Sequence, residues 1–229
     1  MPPPDSRASR ALPLSALEAR VLGVLVEKDK TVPDTYPLSL NALCAGCNQR
    51  NNRDPVMNAG EGDVQEAVDR LKMASLVIES SGARVARYAH NLGRVLQVPD
   101  QAVVLLAALM LRGGQTAAEL RTATDRLHRF ADTSSVEAFL DELSVRGPER
   151  GGPLVRLLAR RPGEREARWV HLLSGPVDEP VARAATAATN SAAPGELAAL
   201  RDEQARLAAD VADLRRLVER IARELRLEP

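Results

Sequence analysis

A mainly helical chain with small β-hairpins, arranged as two tandem winged-helix domains followed by a C-terminal coiled-coil helix, is the fold that this 229-residue sequence predicts. Three observations predict it. The run Ala86-Arg87-Tyr88-Ala89-His90-Asn91-Leu92 returns 81 positions later as Ala167-Arg168-Trp169-Val170-His171-Leu172-Leu173, a period too long for a solenoid unit and suited to a compact three-helix module. Val64, Ala67, Val68 and Leu71 recur 72 positions on as Val136, Phe139, Leu140 and Leu143, so one amphipathic helix is used twice. A heptad of apolar residues then fills the last part of the chain.

The first helix opens at Ser15, whose hydroxyl can cap Glu18 while Glu18 reaches back, ahead of Leu17, Val21, Leu22 and Leu25 on one face. It is expected to end near Lys28. Pro33 and Pro37 break the chain, and Leu40, Leu43, Cys44 and Cys47 recur at helical spacing before the polar residues 48–54. The third helix carries Val64 to Leu71, and residues 76–78 and 84–90 read as a hairpin turning around Gly82. In the second half, Pro99 starts a helix that Gly113-Gly114 stops, and Thr116 with Glu119 and Ser134 with Glu137 make further capping boxes. Residues 154–159 and 165–172 form the second hairpin, with its tip at 160–164. The repeat offset grows from 72 to 81 between third helix and last strand, which assigns the divergence to the second wing.

These signals divide the chain into a disordered N-terminus at 1–12, a first winged-helix domain at 13–92, a second at 98–175, a flexible linker at 176–195 and a coiled-coil helix at 196–228. In the tail, Leu197, Leu200, Gln204, Leu207, Val211, Leu214, Val218, Ile221 and Leu225 alternate steps of three and four. β-branched Val211 and Val218 at a, with Leu207 and Leu214 at d, favour a parallel dimer. Leu200, Leu207, Val211, Leu214, Val218, Ile221 and Leu225 are therefore the expected dimerisation residues. A helix folded back on its own domains is the alternative.

Formal charge is zero, from 31 basic and 31 acidic residues, so the long-range field of a strongly basic nucleic-acid binder is absent. No run reaches the roughly 20 apolar residues that span a bilayer, and the start lacks the apolar core of a signal peptide. A cytoplasmic protein without a membrane partner is expected. Cys44 and Cys47, three apart on one helix, exclude a disulfide scaffold.

The stretch Glu27-Lys28, Pro33, Tyr36-Pro37-Leu38-Ser39, Asn41, Cys47-Asn48-Gln49, Asn52-Arg53 and Pro55-Val56 resembles the YceH-like family of bacterial proteins. Phe130-Ala131-Asp132 and Arg165-Glu166-Ala167-Arg168 before His171 are similar to that family's second-half motifs. The likeness spans about residues 14–175. It implies tandem winged helices and brings no established activity. Asp29, Asp54 and Trp169 stand where Glu, Glu and Tyr are expected, and Cys44 lies outside the pattern.

Winged helices usually place the third helix in the major groove, yet here those helices carry Glu61, Asp63, Glu66 and Asp69 against Arg70 and Lys72, and Glu137, Asp141 and Glu142 against Arg146. Positive charge sits elsewhere. Arg50 and Arg53 lie in the polar turn, Arg84 and Arg87 in the first hairpin, and Arg156, Arg160, Arg161, Arg165 and Arg168 in the second. The nucleic-acid candidates are Arg50, Arg53, Arg84, Arg87, Arg160, Arg161 and Arg165, through wings that hold phosphate or enter a narrow minor groove. The bland alternative is a solvated edge that resists aggregation. Residues 48–53 either read a partner or pin a long turn to its own backbone. Five aromatic residues offer no stacking platform for single strands. The C-x-x-C pair lacks a second ligand pair, and His90 and His171 read as one structural contact made twice, so no catalytic residue, metal or cofactor is expected. The leading expectation is a dimeric duplex-DNA-binding or regulatory helix-turn-helix protein acting through basic wings. The alternative is a protein-interaction scaffold of the chromosome-segregation winged-helix type.

Overall fold

The computed structural model describes residues 13–80, 85–160, 164 and 166–177. They fold as a mainly helical unit with two small antiparallel sheets. The elements are α1 (Ala16–Thr31), β1 (Leu38–Ser39), α2 (Leu40–Cys47), α3 (Glu61–Met73), β2 (Val77–Ser80), β3 (Arg87–His90), α4 (Leu92–Leu96), α5 (Asp100–Arg112), α6 (Ala117–Thr124), α7 (Thr133–Ser144), β4 (Val155–Leu157) and β5 (Trp169–His171). No helix among these residues is long and apolar enough to cross a membrane.

The repeat is visible in three dimensions. β3 lies between β1 and β2, with Leu38 opposite Tyr88 and Val77 opposite His90. In the second half Gln115 bridges Trp169, and Val155 pairs with His171. Each half thus runs helix, short bridge, helix, helix, hairpin, and the bridge strand leads into a helix capped by Ser39 or Thr116. Val64, Ala67, Val68 and Leu71 are buried, and so are Val136, Leu140 and Leu143, which makes the shared spacing the inner face of α3 and α7.

The two halves share one core. α1 lies against α5, and a Cβ at Gly23 would sit 2.8 Å from Leu111 Cγ, so only a bare backbone lets the helices approach this closely. Leu22, Leu25, Leu105, Leu106 and Leu109 are all fully buried in the same cluster. Asp54 N–H donates to the Leu111 carbonyl at 2.8 Å, and Lys30 pairs with Asp100 at 2.9 Å.

Several expectations change in detail. α1 continues to Thr31, past Lys28. The Ser15–Glu18 and Thr116–Glu119 boxes form as read, whereas the Ser134–Glu137 box does not. Asp132 is the cap instead, its Oδ1 accepting from Ser135 N–H and Ser135 hydroxyl, both at 2.7 Å. The chain enters α7 two residues earlier because a carboxylate fits the cap site before the serine is reached. β1 and α4 were not expected, and Leu76 precedes its strand, held by a turn with Ser75 at φ 59°. The dimerisation residues Leu200, Leu207, Val211, Leu214, Val218, Ile221 and Leu225, with the linker from residue 178 onward and the N-terminal 12 residues, lie outside the described residues.

Candidate functional site

The sequence-predicted cations divide sharply by environment. Arg53 cannot meet a partner, because its side chain is fully buried. Its Nη1 and Nη2 donate to Glu27 Oε1 at 3.2 Å and Oε2 at 2.6 Å, Nη2 also to Gln49 Oε1 at 2.7 Å, Nη1 to the Asn52 carbonyl at 2.9 Å and Nε to the Gly46 carbonyl at 3.2 Å. Burial pushes the Glu27 carboxyl up, and the Arg53 hydrogen bonds and charge outweigh it, holding Glu27 below the usual carboxylate range. Arg53 is therefore corrected from a binding candidate to a structural residue, paired with Glu27. The neighbouring Asn48 pins the same turn, giving Nδ2–H to the Ala59 carbonyl at 2.9 Å and accepting Ala59 N–H at 2.8 Å. Arg50 alone of the two turn arginines is exposed.

Arg87 is exposed but holds its own scaffold, donating to the Pro37 carbonyl at 2.9 Å. Arg168 donates to the Gly114 carbonyl at 3.0 Å. Pro37 and Gly114 each precede the bridge residue opposite the strand aromatic, so the repeated arginine makes the same contact in both halves. Arg168 is further held by Glu119 at 2.7 Å and Glu164 at 3.5 Å. Arg160 is exposed at the hairpin end. Arg84, Arg161 and Arg165 lie outside the described residues.

The two histidines repeat in position but not in every contact, since His90 Nε2 lies 3.7 Å from Asp29 Oδ2 and His171 has no such pair among the described residues. In each, Nδ1 is buried without a hydrogen-bond partner, and burial lowers both imidazoles, His171 to about 4. Cys47 is buried, its thiol pushed up to about 12 by desolvation, and Cys44 Sγ–H donates to the Ala59 carbonyl at 3.4 Å. A thiol held protonated in this way is a poor nucleophile and metal ligand. Among the described residues no group of three His, Cys, Asp or Glu side chains is placed to hold a metal ion.

What the third helices present is acidic. On α3, Glu61, Asp63, Glu66 and Asp69 are exposed, while both cations are taken. Arg70 Nε reaches Glu18 Oε1 at 2.5 Å, with Nη1 3.6 Å from Glu66, and Lys72 pairs with Asp69 at 3.6 Å and with Glu79. On α7, Glu137, Asp141 and Glu142 are exposed, and Arg146, counted against them in the sequence, is buried and donates to the Leu96 carbonyl at 2.8 Å and to that of Arg150. Each acidic face ends in an exposed apolar side chain, Met73 and its repeat equivalent Val145, both 79% exposed.

Sequence reasoning missed two features. Arg121, Arg126 and Arg129 are exposed along α6 and the turn after it, the counterpart of the turn that holds Arg50; their close spacing was the signal. An open groove of about 490 Å³ runs between the end of α7 and the second hairpin, lined by residues that include Asp141, Ser144, Leu157 and Trp169. No sequence signal marks a groove assembled from two distant elements.

A family model described as "Protein of unknown function, DUF480" matches residues 14–164. The chain is 60% identical over 215 residues to a UPF0502 protein of Leptothrix cholodnii, covering 93% of this chain and 95% of that protein. It is 58% identical over 227 residues to a UPF0502 protein of Burkholderia multivorans, covering 98% and 95%. A UPF0502 protein of Acidovorax sp. is 55% identical over 217 residues, covering 95% and 96%.

Proposed function

We propose that this chain, which belongs to the bacterial DUF480 family of proteins of unknown function, is a non-enzymatic adaptor of two winged helices that binds a basic segment of a partner protein through its acidic third-helix faces. The YceH-like family that residues 27–56 resemble is this same family. The winged-helix reading draws on the element order of each half and on the bridge strand that pairs with the last strand of the hairpin. One observation carries the choice of partner. The cations of α3 are neutralised by Glu18, Glu66, Asp69 and Glu79, and the one at the end of α7 is buried, so the surface that a DNA-binding member of the fold would push into the major groove repels phosphate. Opposite charges across an interface steer and select a partner, and here they select a basic one. A dimer joined through the heptad at 197–225 would present each face twice and gain avidity.

The test is charge reversal on intact protein. Glu61→Lys, Glu66→Lys and Glu137→Lys together should weaken binding of a fluorescein-labelled lysine-rich peptide by tenfold or more; unchanged binding overturns the reading. Duplex DNA is a second reading, favoured by the exposed Arg50 in the turn after α2 and the exposed Arg121, Arg126 and Arg129 on α6 and in the turn after it. Salt-sensitive duplex binding that is lost when Arg121, Arg126 and Arg129 become Ala would favour it.

A further inference from the structure

The two halves are built alike except at one strap. Val77 faces His90 and Val155 faces His171, which makes Ile78 and Glu79 the equivalents of Arg156 and Leu157. The third helices align with a shift of 72, so Asp69 and Lys72 correspond to Asp141 and Ser144. In the first half the Lys72 side chain crosses from α3 to β2, its ammonium between Asp69 at 3.6 Å and the Glu79 carboxylate. In the second half the aspartate remains, while the lysine has become a short serine and the glutamate an apolar leucine. The strap is gone, and its place is an open groove of about 490 Å³.

Among the described residues, one wall of that groove is an unpaired strand edge. Leu158 N–H donates to the Arg168 carbonyl and Leu172 N–H to that of Leu154, both at 2.8 Å. By antiparallel alternation the backbone groups of Val155 and Leu157 therefore point away from β5, to the open side of β4. Leu157 is 46% exposed, and Trp169 and Val155 lie beneath it.

We propose that this groove is a docking site for an extended peptide segment of a partner protein, which pairs along the edge of β4 and lays a lysine side chain over Leu157 toward Asp141. Lys72 is the template for that occupant, since the first half fills the equivalent space with a four-carbon stem and an ammonium beside the matching aspartate. Charge complementarity points the same way. Asp141 is exposed and in no ion pair among the described residues, with Glu137 and Glu142 exposed on the same helix. Arg156, also on the groove wall, matches a carboxylate at the neighbouring peptide position. Strand addition supplies affinity through the main chain, and the groove supplies selectivity through one side chain. The inference rests on the adaptor reading and narrows it to one half of the molecule.

Trp169 is the only tryptophan of the chain and lines the groove, so its emission reports occupancy directly. Intact protein is titrated with a blocked hexapeptide of valine and threonine bearing one central lysine, and with its central-glutamate counterpart, up to millimolar concentration. The lysine peptide should shift the emission saturably and bind at least tenfold more tightly than the glutamate peptide. Ser144→Lys with Leu157→Glu rebuilds the first half's strap and should weaken binding at least tenfold; Asp141→Asn, a conservative change at an exposed site, should weaken it severalfold even if the strap variant fails to fold. Equal response to both peptides, or undiminished binding by Asp141→Asn, overturns the groove assignment. If the labelled lysine-rich peptide still binds in that case, the adaptor reading stands without the groove; if neither basic probe binds, both fall.

Discussion

Replacing Arg53 with methionine should destabilise the protein severely without touching its surface. The guanidinium makes five hydrogen bonds, two of them to Glu27, from a side chain with no exposure. Methionine matches much of the stem volume, so the loss is electrostatic rather than a cavity. Removing one partner of a buried pair costs about 3–5 kcal/mol, and the Gly46 and Asn52 carbonyls lose donors as well. With Arg53 absent, burial at Glu27 is opposed by Lys28, 3.5 Å away, and no longer by the guanidinium, so the carboxyl rises from its depressed value. Acidification therefore narrows the gap between the two proteins, because the variant can protonate Glu27 while the parent is losing the stability that the depressed carboxyl supplies. Denaturant unfolding followed by Trp169 emission and far-ultraviolet circular dichroism at about pH 7 and about pH 4, below the ordinary carboxylate value, measures both effects. Glu27→Gln in the Arg53→Met background should recover part of the loss, since it removes the orphaned charge. A cost under about 1 kcal/mol would refute the structural role, because exposed ion pairs contribute about that much or less.

Gly23→Ala places a Cβ 2.8 Å from Leu111 Cγ and should cost about 1–3 kcal/mol by overpacking, read as a lowered unfolding midpoint with one cooperative transition across both halves. His171 titrates near 4 in the folded protein, below its unfolded value of about 6.5. As pH falls from about 6.5 to about 4 the unfolded chain takes up a proton that the folded chain refuses, so up to about 3 kcal/mol is lost. His171→Leu should flatten that part of the stability–pH curve. Analytical ultracentrifugation of the whole chain should give a dimer mass, and deletion of residues 196–229 a monomer mass; an unchanged mass would remove the heptad claim.

The parts of the fold carried by local pattern were legible. The spacing of Val64, Ala67, Val68 and Leu71 and its copy 72 residues later located both third helices, since a 3.6-residue period needs no knowledge of the partner. β1, with two residues, is too short to show alternation, and α4, with five, too short to show a period. At α7, Asp132 and Ser134 both satisfy a capping spacing, and only the path of the incoming chain decides between them. The site was harder to read because charge in a sequence carries no address. Nothing beside Arg53 in the sequence marks it as buried, because its partner Glu27 lies 26 residues earlier. Arg70 and Lys72 count as positive charge on α3 by sequence, and the fold sets Glu18 and Glu79 against them. The groove depends on Ser144 and Leu157 standing where Lys72 and Glu79 stand in the first half, a comparison that needs the strand register as well as the helix alignment.

The adaptor reading is tested most directly by titrating the intact chain against a labelled lysine-rich peptide and a labelled duplex DNA, side by side, from about 50 to about 200 mM salt, the range over which phosphate contacts weaken steeply. It predicts that the peptide binds at least tenfold more tightly than the duplex at every salt concentration. Tighter duplex binding, falling steeply as salt rises, would contradict it.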